Sequence, residues 1–564
     1  MKTIFYSFIL ITTCLAFAPA VKAVPSGNYP NSIEQVLKLD EDDIDVAASI
    51  LLVSKRWNTQ LNINHYLDII DDMADQVRKN VGNSTNSHKI AEAINNLLFK
   101  EMGFKPVSNA DNPDDLFLNT VIDNKRGYCL SLSILYLSIG ERLNLPLNGV
   151  VVPGHFFVRC TDKGVSFNIE TTLSGVSPPD KHYIKEFKIP DSSNGIYLRN
   201  LTRKETIGCF FNNLANIYYT SNQIDYAFYY QQLAVALNPS LPESRTNLGN
   251  IYVKKNMPDL AIEQYQEALR INYADAKTHH NLANAYRKKG QTDIAIKQYS
   301  IALELDPNYM EIYKGLAQAY HSKGQSDKAI SVLKQAIDIN SHDPDIYMIL
   351  AGIYHDRAQY DKAISNYRLV LALKPNSVEA ACGLGYAYFQ KEMYYDAIEQ
   401  FRSAVYFDPH NARAHLGIGL VCDKLGWPDD EIQAYEDAIK CDPNMLAAYQ
   451  NLAGVYMGKK RYDLAEDKYK TAIKLSPKDP NLYFNLAVAY SEQKQYQEAK
   501  DSYLKAVEFR WNYPAAHNNL AITFYMLNKY SQALNHAKIA QQQGFKVSQD
   551  LLDQLNKIVK NNSQ

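Results

Sequence analysis

The strongest constraint on this chain is a period: from about Gly208 to Val547 the sequence repeats itself every 34 residues. Alanine recurs in that register at Ala227, Ala261, Ala295, Ala329, Ala363 and Ala397, then at Ala465, Ala499 and Ala533. A leucine series runs from Leu214 to Leu520 and an aromatic series from Tyr218 to Phe524, with prolines closing many units between Pro239 and Pro477. Leu214 and Tyr218 are four residues apart, so a helix carries both on one face. A unit of this length holds two amphipathic helices, and neither buries its apolar face until the next unit stacks against it. The alanines fall where two helices approach closely, and the prolines stop the second helix of a unit. The expected fold class is mostly α.

A 34-residue period with these small, aromatic and proline positions resembles the tetratricopeptide repeat family. That resemblance implies an α-solenoid of about ten repeats over residues 208–547; a small α+β domain is expected ahead of it, and a capping helix and tail at 548–564. The unit at 412–445 departs from the pattern. Glu431 stands in the alanine position, Cys422 in the aromatic position and Pro428 near the inter-helix turn, so a looser joint is expected there.

At 564 residues the chain is too long for one core, and its net charge of −2 argues against a nucleic-acid partner, which demands a basic surface. The first 23 residues form their own segment: Lys2, an apolar run from Ile4 to Ala18, then small residues at Ala18, Ala20 and Ala23. This pattern predicts a secretory signal peptide over 1–23 and a linker over 24–32. The mature protein is then expected to be exported, periplasmic or secreted, with no integral membrane span. Six cysteines remain beyond Cys14, none in CxxC spacing, so neither a metal site nor another cofactor is expected.

Residues 33–200 read differently. Helical stretches are expected at Ser32–Lys38, Asp43–Lys55, Asn64–Lys79 and Lys89–Phe99. The run Arg126-Gly127-Tyr128-Cys129-Leu130-Ser131 opens an apolar helix, and strands are expected at Leu147–Val152, Phe156–Cys160 and Val165–Thr172. In order, this places a cysteine at a helix start, a histidine at a strand start and a carboxylate in the next strand. A helix N-terminus favours a thiolate, an imidazole can carry the proton, and a carboxylate behind it holds the tautomer.

The RGYCLSLS, PGHFFVR and NIETT segments resemble the transglutaminase-like, papain-related superfamily, in its branch with a SirB1-type N-terminal domain. The resemblance covers about residues 33–200. It implies Cys129 as nucleophile, His155 as base and Glu170 as the residue orienting the histidine, where the superfamily usually places Asp.

The first three repeats carry asparagines in i, i+3 pairs: Asn213 with Asn216, Asn247 with Asn250, Asn281 with Asn284. A carboxamide both donates to and accepts from a peptide group, so the ladder is a candidate site for a protein or an extended peptide. Two readings stand at this point. In one, the array recruits a protein partner to a thiol hydrolase or acyltransferase; in the other, residues 33–200 are an inactive binding or capping module.

Overall fold

The computed structural model describes residues 32–107, 112–189 and 195–561, so the expected signal peptide and nearly all of the linker lie outside the described residues. By its internal packing the chain divides into two units, one up to Ala329 and one from Ile330.

The first unit begins with helices α1 (Ile33–Lys38), α2 (Val46–Trp57), α3 (Ile63–Val81) and α4 (Ser87–Asn95). Each opens on a polar N-cap: Ser32, Asp45, Asn62 and Asn86 accept from backbone N–H groups that the first turn leaves unpaired. The helix expected over Lys89–Phe99 starts two residues earlier and runs on into a π-helical turn at Asn96–Glu101. Strand β1 (Lys105–Pro106) pairs in parallel with β2 (Arg126–Gly127), and α5 (Leu118–Asn124) lies between them in sequence. Helix α6 (Cys129–Arg142) then packs on an antiparallel sheet of β3 (Leu147–Val152), β4 (His155–Asp162) and β5 (Val165–Ile169), in the order β3-β4-β5. The expected third strand was longer; it stops at Ile169, and Glu170 caps the 3-10 turn Thr171–Leu173. Alternation along β4 divides its neighbours: Phe156, Val158 and Cys160 join the core under α6, whereas Phe157 packs with Tyr183 of α7 (Asp180–Glu186) on the other face.

Helix α8 (Arg203–Thr220) opens the repeats. It starts ahead of the periodic signal because Thr202 and Glu205 form a capping box, each side chain bonding the other's backbone N–H at 3.2 and 2.9 Å. With α9 (Ile224–Leu237), α10 (Pro242–Lys254), α11 (Pro258–Ile271) and α12 (Ala276–Lys288) it begins a run of ten helix pairs that ends at Tyr530–Gln542. The protein is thus an α-solenoid following a small α+β region.

The first repeat is built into the N-terminal domain. Leu116, Leu118 and Ile139 share one buried cluster with Ile207, Phe210, Phe211 and Leu214. Trp57 stacks on Tyr218 with ring centroids 5.2 Å apart. Arg203 on α8 donates to the carbonyls of Asp42 and Ile44, each at 2.9 Å.

In the second unit the recurrent alanines Ala363, Ala397, Ala465, Ala499 and Ala533 are fully buried, as close helix approach requires. The closing helix Gln549–Asn561 buries Leu552 and Leu555 against the last repeats. The unit expected to be loose is regular. Its helices Ala412–Leu425 and Pro428–Cys441 match their neighbours in length, and Cys422 is fully buried. Pro428 sits at the first helical position, where its missing N–H costs nothing. Gly426, at φ 70°, ends the preceding helix in the left-handed conformation that favours glycine.

Candidate thiol site

Each motif residue is fixed by an identifiable local cause. Arg126 pairs with the buried Asp115 at 2.8 Å, and the Tyr128 hydroxyl donates to the Asn112 carbonyl. A methyl group on Gly127 would stand 2.6 Å from Ser131 Oγ and 3.1 Å from Val121 Cγ2, so only glycine lets β2 approach α6 here. Ser131 Oγ accepts the Tyr128 N–H at 2.9 Å and donates to the Asp115 carbonyl at 2.7 Å. These bonds hold the chain so that Cys129 is the first residue of α6, half-buried, while the other described cysteines of the first unit are buried. The backbone N–H of Cys129 belongs to the first helical turn, whose donors have no helical acceptor.

His155 is the first residue of β4. It follows a two-residue turn, Pro153-Gly154, and Val152 faces it across the hairpin. Gly154, at φ 74°, supplies the left-handed conformation that the second turn position after proline requires. The β4–β5 register pairs Val158 with Ile169, so one further step brings Glu170 beside Phe157, on the face His155 shares. His155 Nε2 meets Glu170 Oε2 at 2.8 Å, and Cys129 lines the same cleft and acts on the ring electrostatically. With Nε2 engaged, Nδ1 is the nitrogen left for the thiol. The structure therefore brings all three residues together, and the longer side chain of Glu170 reaches the histidine.

The electrostatics follow from this geometry. Burial alone would lower the His155 imidazole, but hydrogen bonds and charge from Cys129 and Glu170 outweigh it and raise it to about 10. Burial pushes the Glu170 carboxyl up, yet the His155 and Thr172 bonds hold it below the usual carboxylate range. Glu170 is only 3% exposed, and its oxygens accept from His155, the Thr172 N–H (3.0 Å), the Thr172 hydroxyl and the Tyr183 hydroxyl (3.0 Å). A carboxylate so fully supplied with donors stays ionised at neutral pH.

Two functional neighbours were missed in the sequence. The Tyr183 hydroxyl donates to Glu170 Oε2, the oxygen that also meets His155, and Phe187 stacks on His155 at 5.0 Å with rings 9° apart. The run Asp180–Glu186 is too short and too polar for periodicity to mark it as a helix, so nothing in the sequence joined it to the site. Among the described residues, no three His, Cys, Asp or Glu side chains are grouped as metal ligands.

A cleft of about 810 Å³ is lined by Cys129 and His155 and also by Asn213, Asn216 and Asn247. The structure divides the six candidate asparagines. Asn213 and Asn216 are exposed in the cleft, and Asn247 is half-buried there, donating to Asn212 Oδ1 at 3.1 Å. The others tie the repeats together. Asn250 accepts from Tyr265 and Asn281 at 2.7 and 3.0 Å, and Asn284 accepts from the Tyr299 hydroxyl. The neighbouring His279 and His280 are buried, and His279 bonds Gln298 and the Tyr273 carbonyl at 2.7 and 3.0 Å.

The family described as the transglutaminase-like superfamily matches residues 64–179, which include Cys129, His155 and Glu170. A TPR-repeat family matches 249–290 and 283–324, and the family of the cilia and flagella-associated protein 70 C-terminal domain matches 312–521. The chain therefore carries a transglutaminase-like domain followed by tetratricopeptide repeats. A UPF0162 protein of Xylella fastidiosa (strain 9a5c) is 25% identical over 218 residues, covering 36% of this chain and 76% of the relative. The solved structure of MamA protein is 28% identical, with TM-score 0.28, over 29% of this chain and 91% of that one. YrrB, described as a TPR protein with an unusual peptide-binding site, is 23% identical, with TM-score 0.29, over 33% of this chain and 96% of its own. No helix of the described residues is long and apolar enough to cross a membrane.

Proposed function

We propose that this is an exported thiol hydrolase or acyltransferase acting on a peptide or amide carbonyl, carried on a protein-binding repeat array. The observation that carries it is the Cys129–His155–Glu170 arrangement at the mouth of a cleft. In the reaction, the Cys129 thiolate attacks the carbonyl carbon, and the first-turn N–H of Cys129 faces the developing oxyanion. The C–N bond breaks as His155 gives its proton to the leaving nitrogen, leaving a thioester on Sγ. A water or an amine then attacks the thioester, His155 takes the incoming proton, and Sγ leaves as the thiolate. Glu170 keeps the imidazole oriented and supports its positive charge throughout. Hydrolysis is the simpler outcome, since water needs no second binding site.

The test is the pH dependence of Cys129 alkylation by iodoacetamide, read by mass spectrometry against His155→Ala. Rapid alkylation well below the ordinary thiol pKa of about 8.5, slowed in the variant, is the expected result. Slow alkylation that ignores His155 would leave residues 33–200 as an inactive module. Export rests on the segment ending at Ala23. An N-terminus of Val24 on protein recovered from outside the cytoplasm is expected, and an intact Met1 there would contradict it.

A further inference from the structure

The thiol site and the repeats share one cleft. Cys129, His155 and Phe187 of the N-terminal domain line it together with Asn213 and Asn216 of α8, Glu243 and Asn247 of α10, and Lys277 of α12. The three helices are the first helices of three successive repeats, and all belong to the unit that holds the thiol site. The shared core of Leu118, Ile139, Phe210 and Phe211 fixes the N-terminal domain and α8 to each other.

The repeat residues are equipped for main-chain amides. Asn213 spends its Nδ2 on the Cys209 carbonyl at 3.1 Å, which leaves Oδ1 to accept. Asn216 makes no side-chain hydrogen bond among the described residues. Glu243 accepts the Tyr197 hydroxyl at 2.6 Å through Oε1, but its enclosed Oε2 has no partner. An acceptor left unpaired in an enclosed place is costly unless a ligand donates to it. The length also discriminates. Adjacent packed helices lie roughly 9 Å apart, so three span roughly 18 Å, which an extended chain crosses with about six residues at ~3.3 Å each.

We propose that the cleft binds an extended polypeptide segment of about six residues, whose main-chain amides meet Asn213, Asn216, Asn247 and Glu243 while one of its carbonyls lies at Cys129. The first three repeats are then the substrate subsite of the thiol domain itself, and this rests on the thiol reading above. Carboxamides that bond main-chain groups do not select side chains, so the cleft accepts many sequences.

The experiment measures protection of Cys129 from iodoacetamide in the full-length protein. Two competitors are compared: an equimolar pool of acetylated, amidated hexapeptides, and acetylalanine methylamide as a single-residue amide. The hexapeptide pool is expected to slow alkylation at least about fivefold while the single-residue amide leaves it unchanged. The Asn213→Ala/Asn216→Ala double variant, altered only at exposed side chains, should need about tenfold more of the pool. Equal protection by the two competitors, or protection by neither while alkylation still depends on His155, overturns the peptide subsite. Loss of the His155 dependence itself would instead overturn the thiol site. Protection in the double variant equal to wild type would show that the asparagines do not bind the chain and would also overturn the proposal.

Discussion

At the scale of single residues, the charge on His155 is set by what it touches. Its folded pKa, at about 10, lies above the value near 6.5 expected when unfolded. The stabilisation from the raised His155 pKa is therefore complete below about pH 6.5 and is lost as pH rises toward 10. Glu170→Gln should lower the His155 pKa by about 1–3 pH units, measured by NMR titration of the imidazole carbons. The fall in melting temperature between pH 6.5 and 10 should be correspondingly shallower in the variant. An unchanged titration would mean that Glu170 does not support the imidazolium. Gly127 gives a second prediction. Gly127→Ala places a methyl group 2.6 Å from Ser131 Oγ, so it should cost about 1–3 kcal/mol in denaturant unfolding and slow Cys129 alkylation. Cys129, His155 and Glu170 were all legible in the sequence, because a three-part motif keeps its order along the chain. The bonds from Tyr183, Thr172 and Phe187 were not, since they depend on a turn and a short helix whose placement only the sheet decides.

At the scale of elements, the irregular repeat shows how a rule of composition can mislead. Glu431, Cys422 and Pro428 suggested a loose joint, yet each is absorbed. Cys422 fills its site as a small apolar side chain, and Gly419 lets the ring of Tyr435 pack against the helix. What remains is an electrostatic cost. Burial and the nearby Asp423 push the Glu431 carboxyl up to about 7, against the opposing charge of Lys459 and Lys424. A carboxyl raised above its unfolded value binds its proton more tightly in the folded state, so it costs stability as pH rises from about 4.5 to 7. Glu431→Ala should therefore stabilise the protein at pH 8 by about 1 kcal/mol, the partial exposure of the carboxylate reducing the full effect. The gain should vanish near pH 4. Thermal unfolding at the two pH values measures it, and an equal effect at both would point to packing in place of charge.

At the scale of the whole molecule, cooperativity should follow the two packing units. Phe210 lies in the core that joins the N-terminal domain to the first repeat, so Phe210→Ala should cost about 3–5 kcal/mol and depress Cys129 alkylation with it. Ala465 is fully buried in the second unit, and Ala465→Leu should destabilise its neighbourhood by about 1–3 kcal/mol while leaving alkylation as it was. Repeats contact mainly their neighbours, so damage stays local. A loss of alkylation in the Ala465 variant would refute that independence. The solenoid could be read from the sequence because its contacts are close in the chain and recur every 34 residues, which leaves a period that composition alone reveals. The order of cysteine, histidine and carboxylate was likewise written in the chain. Tertiary structure decided the rest: that α8 shares a core with the N-terminal domain, that Asn250, Asn281 and Asn284 are spent on the array, and that Asn213 and Asn216 face the cleft at Cys129. Those facts depend on contacts between segments far apart in sequence, where no local period or propensity records which side chains will meet.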